Sequence, residues 1–388
     1  MSIPVLLLFS DTGGGHRSAA QAVAGALNEE YPGVFAPLLH DPLRTSNAPL
    51  LLRGVASLYG PITRYAPWAW GAVFHASDSR LAADLLRRTW LRLADAPVAR
   101  VVAAHRPALV LSFHPLTTAA AVRAMQHHDV GTPVVTVVTD LVTTHATWRY
   151  AAVDWLVAPS VALKRRCEAD ALAPERCLDF GLPVGSSFRT RPLSVRQQWE
   201  LRRQLGVDPW RFLVVLTGGG EGLGPIVESV QALTRAFDDV DVVAICGRNR
   251  RIEQRLTRRA SQRLTVKGFV DNMADWYRAA DVVVTKAGPQ TIAETTCCGA
   301  ALLVTSHLPG QERGNTELVV GAGAAMHTPQ VGDLVHAVGH LKRNPVALQA
   351  MRRASLAIAR PEAARQVASL VAHMAPPHPP RMEHDGAA

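Results

Sequence analysis

The sequence is poor in cysteine and has no long apolar run. Its five cysteines form no CxxC pair, so neither a disulfide framework nor a zinc site is predicted. No stretch approaches the roughly 18 apolar residues that a transmembrane helix requires. Residues 1–9 lack the basic segment of a signal peptide and are typical of a first β-strand. These absences predict a cytoplasmic protein.

The sequence also has fewer acidic than basic residues. The chain has 41 Lys and Arg residues against 32 Asp and Glu residues, which gives a net charge of +9. This excess favours an anionic partner, which can be a nucleic acid, a nucleotide or an acidic membrane. Because the sequence contains no zinc finger, basic zipper or aromatic RNA-recognition motif, no nucleic-acid partner is predicted. A membrane surface or an anionic substrate is the better interpretation.

A glycine-rich turn occurs twice. Residues 5–9 form a strand-like run that leads into Gly13–Gly15, and residues 212–216 lead into Gly218–Gly220. In a chain of 388 residues, 48% of them hydrophobic, this repetition predicts an α/β protein with two Rossmann-like domains that face a central cleft. The predicted units are a first domain over 1–188, a second domain over 192–358, a helix over 359–375 that crosses back to the first domain, and a disordered tail over 376–388.

The first glycine-rich turn carries a histidine. The run Gly13-Gly14-Gly15-His16 does not have the G-x-G-x-x-G spacing of a dinucleotide-binding turn, which argues against an NAD-dependent oxidoreductase. A glycine turn lets the backbone approach a ligand closely, and a histidine at the mouth of the sheet can take a proton near neutral pH. The turn therefore predicts a general base at His16. A surface or capping histidine is the alternative.

More polar side chains follow the other predicted strands of the first half. The strand over 109–113 is followed by His114, and the strand over 134–139 is followed by Asp140, His145 and Trp148. Each could be a satisfied polar residue beside a turn. Because substrates bind at the carboxyl ends of parallel strands, their shared position favours an acceptor cleft. The last strand of this domain is predicted at 180–184.

Aromatic residues alternate with arginines between residues 48 and 90. Trp68, Trp70 and Phe74 lie in this segment, with arginines on both sides. A lipid-touching segment needs this mixture, because the rings enter the interface and the arginines meet the headgroups. A helical insertion that covers a core needs the same residues. We favour the lipid-touching interpretation.

The most informative stretch of the second half is 282–294. A β-branched strand is followed by the corner Gly288-Pro289 and a helix-competent segment, and Pro289 suits a first helical turn. The tip of that helix offers an anion the free N–H groups of Gln290, Thr291 and Ile292. Glu294, one turn further on, can accept two ribose hydroxyls. The stretch thus fits a nucleotide diphosphate, with an ordinary strand–helix corner as the alternative.

Three further loops of the second half are candidates for ligand contacts. Arg248 follows the strand over 242–246 and is placed to neutralise a phosphate. A Gly-bounded loop over 309–315 carries side chains suited to sugar hydroxyls, and a plain surface loop is the competing interpretation. Asp239-Val240-Asp241 is formally a DxD motif but precedes its strand, so we interpret it as a surface turn and predict no metal site.

These motifs, in this order, resemble monogalactosyldiacylglycerol synthases and bacterial diacylglycerol glucosyltransferases, which are relatives of the peptidoglycan lipid II synthase. The resemblance extends over about residues 10–320 and is carried by residues 10–16, 136–141, 181–184, 218–222, 246–249, 267–270, 285–289 and 310–315. It implies a GT-B fold and an inverting transfer of hexose from a UDP-hexose to diacylglycerol, without a metal or a cofactor. It also implies peripheral association with an anionic membrane, at the inner face of the cell membrane.

The resemblance also implies roles for individual residues. His16 matches the proposed base, with Asp140 as a second candidate. Donor-side positions are Gly219, Gly220, Glu221, Arg248, Phe269 and Val270 (backbone contacts to uracil), Gly288, Pro289, Gln290 and Thr291 (diphosphate), Glu294 (ribose), and Gln311, Glu312 and Asn315 (hexose side). The acceptor-side positions, predicted from the glycine turn and the strand ends and not from the resemblance, are Gly14, Gly15, His114, His145 and Trp148. One departure is Gln290, which stands where the family usually has glycine.

Two other functions share parts of this pattern. A UDP-sugar 2-epimerase-type isomerase has the same two-domain architecture but needs no lipid surface, and a glycosyltransferase could use another lipid acceptor. The aromatic and arginine-rich segment over 48–90 favours the diacylglycerol glycosyltransferase. The pattern leaves galactose, glucose and glucuronic acid open as the transferred sugar.

Overall fold

The computed structural model describes residues 2–11, 14–44, 65–127, 131–169, 172–189 and 192–375, together with the single positions 49, 50, 54, 62 and 63. The predicted tail over 376–388 and much of the segment over 48–64 lie outside the described residues. Two parallel β-sheets, each flanked by helices, make up the described structure. No helix within these ranges is both long and apolar enough to span a bilayer.

The first sheet has six parallel strands in the order β2-β1-β3-β4-β5-β6. They are β1 Ile3–Leu8, β2 Phe35–His40, β3 Leu109–Ser112, β4 Val134–Val137, β5 Trp155–Ala158 and β6 Cys177–Asp179. The helices of this half are α1 Gly15–Glu30, α2 Pro67–Ser77, α3 Arg80–Arg88, α4 Asp95–His105, α5 Pro115–His127 and α6 Val161–Ala169. The central strands are buried on both faces, which explains their continuous apolar runs.

The second sheet also has six parallel strands, in the order β12-β11-β10-β7-β8-β9. They are β7 Phe212–Thr217, β8 Val240–Ile245, β9 Leu264–Lys267, β10 Val282–Lys286, β11 Ala301–Ser306 and β12 Ala325–His327. The helices are α7 Val195–Leu205, α8 Ile226–Ala236, α9 Arg250–Thr257, α10 Met273–Ala279, α11 Pro289–Cys297, α12 Arg313–Gly321, α13 Val331–Arg343, α14 Pro345–Ile358 and α15 Ala363–Met374.

Strand order fixes where ligands bind. The first sheet reverses its direction of winding between β1 and β3, and the second reverses between β7 and β10. A crevice opens at such a switch point, outside the carboxyl ends of the strands. In this chain the two crevices face each other across the cleft, since side chains following β1, β4, β7 and β10 all line one cavity.

The last helix belongs to the core of the first half. Helix α15 packs on α1 and buries Ala364, Val367 and Val371 in the same cluster as β1 and β3. The guanidinium of Arg365 pairs with the carboxylate of Glu30 on α1 at 2.6 Å. The chain therefore passes twice between the two halves, once before α7 and once before α15.

Two local predictions are wrong. The last strand of the first sheet is β6 at Cys177–Asp179, and residues 180–184 follow it outside the strand. The interpretation of 239–241 as a surface turn fails because β8 begins at Val240 and Asp241 is buried within that strand. The Asp241 carboxylate faces the Arg211 guanidinium at 3.5 Å.

Candidate functional site

A cavity of about 820 Å³ lies between the carboxyl edges of the two sheets. Its first wall comes from the turn after β1 and the start of α1, and its second wall from the turns after β7, β8, β10 and β11. The two walls meet where α1 and α11 begin, since a Cβ atom on Gly15 would lie 3.6 Å from the Cβ of Gln290. Two helix N-termini, both favourable to negative charge, are thus directed into one space.

His16 occupies the first wall, in the first turn of α1. Its Nδ1 atom is 2.6 Å from the hydroxyl of Thr139, which follows β4, and its ring contacts the ring of His114 edge-on at 4.5 Å between centroids. Burial lowers the pKa of His16 to about 4, although the Phe113 carbonyl and the Asp11 charge raise it. The imidazole is therefore neutral at physiological pH, which is the form that can accept a proton.

Asp140 is held by both halves of the chain. The indole N–H of Trp148 donates to Oδ2 at 2.7 Å, and the Gln311 amide donates to Oδ1 at 2.8 Å across the cleft. Burial raises the pKa of Asp140 to about 6, although these two hydrogen bonds lower it. Because its two carboxylate oxygens accept hydrogen bonds from opposite walls, Asp140 links the two halves of the cleft.

Three of the five other acceptor-side residues lie behind the first wall. Trp148 is buried in the core, and His114 is buried beneath His16, where desolvation holds the pKa of His114 well below its usual range. His145 contacts Ser77 at the end of α2, with 3.0 Å between Nε2 and the hydroxyl oxygen. Gly14 and Gly15 line the cavity directly. The predicted acceptor set thus divides into two wall residues and three supporting side chains.

The glycine-rich loop after β7 forms part of the second wall. A Cβ atom on Gly218 would lie 2.0 Å from the carbonyl oxygen of Leu223, so the loop can fold this tightly only with glycine. Gly219, Gly220 and Glu221 line the cavity beside the loop. The Arg248 N–H donates to the Gly220 carbonyl at 2.8 Å, which ties the turn after β8 to this loop.

Arg248 lies at the rim of the cavity. Its guanidinium pairs with the Glu221 carboxylate at 3.3 Å and lies over the ring of Phe269, 5.0 Å from the ring centroid. Phe269 and Val270 line the same end of the cavity. A cation and an exposed aromatic ring at one end of a nucleotide-sized space suit a base and its adjoining phosphate.

Helix α11 begins as the sequence predicts, with Gly288 before it and Pro289 in its first turn. The Gln290 amide donates to Glu294 Oε1 at 2.9 Å and to the carbonyl of Pro183 in the first half at 3.3 Å. Burial raises the pKa of Glu294 to about 7, although the Gln290 hydrogen bond lowers it. The Oε1 atoms of Gln290 and Gln311 are buried without a hydrogen-bond partner among the described residues, so each can accept a ligand hydroxyl.

The loop over 309–315 supplies two cavity residues and one supporting residue. Gln311 and Glu312 line the cavity. The Glu312 carboxylate is buried, pairs with the ammonium of Lys286 and accepts the Leu308 N–H at 2.9 Å. Asn315, predicted as a donor contact, is 1% exposed, and its amide donates to the Ala287 carbonyl at 3.0 Å. Asn315 therefore braces the turn between β10 and α11.

Sequence reasoning missed two residues of the site. Thr139 lies in the predicted strand over 134–139 and Lys286 in the stretch over 282–294, and neither is predicted as a ligand contact, although both line the cavity. The available signal was their position, because each is the polar residue at the carboxyl end of an apolar strand. Within the described ranges, no group of three His, Cys, Asp or Glu side chains is arranged to hold a metal ion.

Helix α2 packs between the protein surface and the loop over 309–315. A Cβ atom on Gly71 would lie 2.8 Å from the Cβ of Pro309, so the inner face of α2 packs directly on the loop before Gln311. The same helix exposes Trp68 (74%) to solvent, and the following helix α3 exposes Leu81 (85%). Such an exposed apolar face next to arginines suits a lipid interface.

Comparisons with known proteins agree with this geometry. A family model for monogalactosyldiacylglycerol (MGDG) synthase matches residues 16–184, and one for the glycosyltransferase family 28 C-terminal domain matches residues 213–368. The chain is 32% identical over 372 residues to the chloroplastic monogalactosyldiacylglycerol synthase of Spinacia oleracea, covering 92% of this chain and 70% of that protein. It is 30% identical over 385 residues to monogalactosyldiacylglycerol synthase 3 of Arabidopsis thaliana, covering 95% and 81%.

Solved structures share the fold. The structure of Acinetobacter baumannii MurG has a TM-score of 0.58 at 16% identity and covers 96% of this chain and 99% of its own. The UDP-GlcNAc 2-epimerase of Neisseria meningitidis, solved with UDP-GlcNAc, has a TM-score of 0.63 at 13% identity and covers 96% and 100%. The predicted GT-B-type architecture of two Rossmann-like domains is thereby confirmed.

Proposed function

The chain belongs to the monogalactosyldiacylglycerol synthase family, and we propose which sugar donor it uses and how its residues carry out the transfer. It is a UDP-sugar glycosyltransferase that acts on diacylglycerol. The proposed donor is UDP-galactose and the proposed chemistry is inverting, without metal or cofactor. The observation that carries the proposal is a single cavity with a neutral histidine on one wall and an uncapped helix N-terminus on the other.

His16 is the proposed base. The Thr139 hydroxyl engages Nδ1 and the Phe113 carbonyl also hydrogen-bonds the ring, so the imidazole is held in one position to take the proton of the lipid hydroxyl. An alcohol is a weak nucleophile, so removal of this proton during attack lowers the barrier. Asp140 fastens the two walls through Trp148 and Gln311, and it is assigned a positioning role.

The donor is proposed to lie along the second wall. Its uracil lies beside Phe269 and Val270, its ribose hydroxyls bind Glu294, and its diphosphate meets the N–H groups at the start of α11. The hexose then reaches the loop that carries Gln311 and Glu312, on the side of the cavity that faces His16. Preorganised N–H groups and cations stabilise the departing UDP without a divalent ion.

The test of this function is UDP release by the purified protein on vesicles of anionic lipid and diacylglycerol, with EDTA present. UDP-galactose, UDP-glucose and UDP-glucuronic acid are compared. We expect turnover that depends on diacylglycerol and is fastest with UDP-galactose. UDP binding without UDP release from any donor would instead support another acceptor or the epimerase-type alternative, and faster turnover with another sugar would correct the donor.

The membrane partner is proposed to be an anionic lipid surface that receives the exposed face of α2 and α3. Peripheral association of this kind is proposed for the inner face of the cell membrane. Because burying a large apolar side chain contributes about 1.5–3 kcal/mol, the double variant Trp68→Ser/Leu81→Ser should weaken vesicle binding by about 100-fold or more. Sedimentation with anionic vesicles measures this loss.

The matched control is Trp210→Ser, which removes an exposed tryptophan from the second half of the chain. Trp210 packs on Trp199, 4.2 Å between ring centroids, away from the cavity. This control should bind vesicles like the wild type. Equal loss in both variants would show that α2 and α3 are not the docking face.

The ribose site is expected to depend on pH. Since burial raises the pKa of Glu294 to about 7, its carboxylate forms only as the pH rises through that value. Only the carboxylate can accept two ribose hydroxyls, so the affinity for uridine should increase as the pH rises through about 7. Uridine is chosen because it lacks a phosphate that titrates in the same range.

Calorimetry across this pH range measures the effect. In Glu294→Gln, uridine should bind more weakly than in the wild type, with an affinity that is flat across the range. A pH dependence that persists in Glu294→Gln would assign the titrating group to another residue.

A further inference from the structure

The side chain of Lys286 is a cation on the cavity wall, and the donor contacts proposed so far do not involve it. Lys286 ends β10, where the pairing with β11 shifts register between Thr285 and Lys286. The Gly288 N–H donates to the Lys286 carbonyl at 2.7 Å, so the chain turns sharply immediately after the lysine. The ammonium then lies 3.2 Å from the position of a Cβ atom on Gly288, directly beside the first turn of α11.

The surroundings of the Lys286 ammonium favour the binding of an anion. A helix N-terminus has a partial positive charge equivalent to about half an elementary charge, and the ammonium adds to it. The first turn of α11 contains no acidic residue, and the equally uncapped start of α1 lies on the other side of the cleft. One buried carboxylate, Glu312, faces the ammonium, and Glu312 also accepts the N–H of Leu308. Positive charge at this end of the cavity therefore exceeds the negative charge that faces it.

We propose that Lys286 binds the diphosphate of the UDP-sugar and stabilises the charge on the leaving UDP. During transfer, the bond between the sugar C1 and the β-phosphate oxygen breaks, and its electron pair stays on that oxygen. The lipid hydroxyl oxygen forms the new bond to C1, and its proton passes to His16. The ammonium lies where the negative charge on the phosphate increases, which is the position that favours the transition state over the bound substrate.

Lys286 and Arg248 have different environments. Arg248 is 46% exposed and sits at the rim over Phe269, whereas Lys286 is 21% exposed and sits beside the helix terminus. Water screens an exposed charge more strongly than a half-buried one. Loss of Lys286 should therefore weaken diphosphate binding more than loss of Arg248.

The Glu312 carboxylate holds the ammonium beside the helix. Its hydrogen bond to Leu308 and its burial fix its own position, so the pair presents Lys286 in one place. UDP has no hexose and so does not use the proposed sugar contact of Glu312. Binding of UDP therefore reports on Lys286 separately from the hexose site.

The experiment is calorimetric titration of UDP and of uridine into the full-length protein and its variants. Lys286→Met should weaken UDP binding roughly 10- to 100-fold, as loss of a charge-assisted hydrogen bond does, and leave uridine binding unchanged. Arg248→Met should weaken UDP binding less. The matched control is Lys342→Met, which removes a lysine that pairs with Asp239 outside the cavity and should bind both ligands normally.

Two more variants test whether the lysine acts on the ligand or only on the fold. Glu312→Gln leaves the ammonium and removes the negative charge beside it, so UDP should bind a few-fold more tightly. Lys286→Met/Glu312→Gln avoids an unpaired buried carboxylate and should bind UDP as weakly as Lys286→Met.

The inference rests on the proposed function, and the outcomes separate the two. Equal loss of UDP and uridine binding in Lys286→Met, or no loss of UDP binding in that variant, would overturn the role of Lys286 alone. A wild-type protein that binds no UDP would overturn the proposed function as well.

Discussion

His16→Ala is expected to lower kcat for diacylglycerol glycosylation by roughly 1000-fold, within the range typical of general base catalysis. The donor KM should stay nearly constant, because His16 lies on the wall opposite the proposed nucleotide site. The imidazole is half-buried and neutral, and the Thr139 hydroxyl fixes its Nδ1 atom. Initial rates of UDP release on diacylglycerol vesicles measure kcat and KM separately.

The control is His336→Ala, which removes an exposed histidine on α13 and should leave both parameters unchanged. Asp140→Asn keeps the size of the side chain and can still bridge Trp148 to Gln311 in part, so it should lower kcat less than His16→Ala does. If Asp140→Asn were the more damaging change and His16→Ala kept most of its activity, Asp140 would be the base.

Much of the site could be predicted because its signals are local. The β-branched run of β10, the Gly288 corner and Pro289 fix the start of α11 through backbone geometry alone. His16 lies at the mouth of the first sheet, as predicted, because a glycine turn directly after an apolar strand is typical of the strand–helix corners found there. The prediction of two Rossmann-like domains is confirmed for the same reason, since the strand and turn signals repeat in both halves.

The parts that could not be predicted depend on contacts between distant residues. Gln311 reaches Asp140 across 171 positions in the chain, and only the docking of the two halves brings them together. Strand β2 is not predicted from the sequence because Pro37 and His40 interrupt its apolar pattern. Such residues are tolerated there because β2 is an edge strand. Asn315 looked like a sugar contact, yet its amide is used by the Ala287 carbonyl.

Gly218→Ala is expected to weaken UDP binding roughly 100-fold, comparable to losing two backbone hydrogen bonds to phosphate at about 1.5 kcal/mol each. The added Cβ would lie 2.0 Å from the carbonyl oxygen and 2.4 Å from the nitrogen of Leu223. Both atoms belong to the backbone, so no side chain can turn away to relieve the clash. The loop must open, which displaces Gly219 and Gly220 from the cavity wall.

Two other glycine variants separate this clash from the effect of any added methyl group. Gly219 has a φ of +69° and its nearest neighbour, the Thr291 hydroxyl, would be 4.0 Å from a Cβ, so Gly219→Ala adds backbone strain of about 1–2 kcal/mol without a collision. It should weaken UDP binding about tenfold. Gly332→Ala lies on helix α13 with no atom within 4 Å and should raise stability by up to about 1 kcal/mol while UDP binds normally.

Calorimetry measures the UDP affinity of the three variants, and thermal unfolding shows whether each variant stays folded. If the loop cradles the diphosphate, affinity should fall in the order Gly332→Ala, Gly219→Ala, Gly218→Ala, while the melting temperature of Gly218→Ala stays above the assay temperature. A folded Gly218→Ala protein with wild-type UDP affinity would place the diphosphate away from this loop. The start of α11 and Lys286 would then have to hold the diphosphate alone, and Lys286→Met should have a correspondingly larger effect.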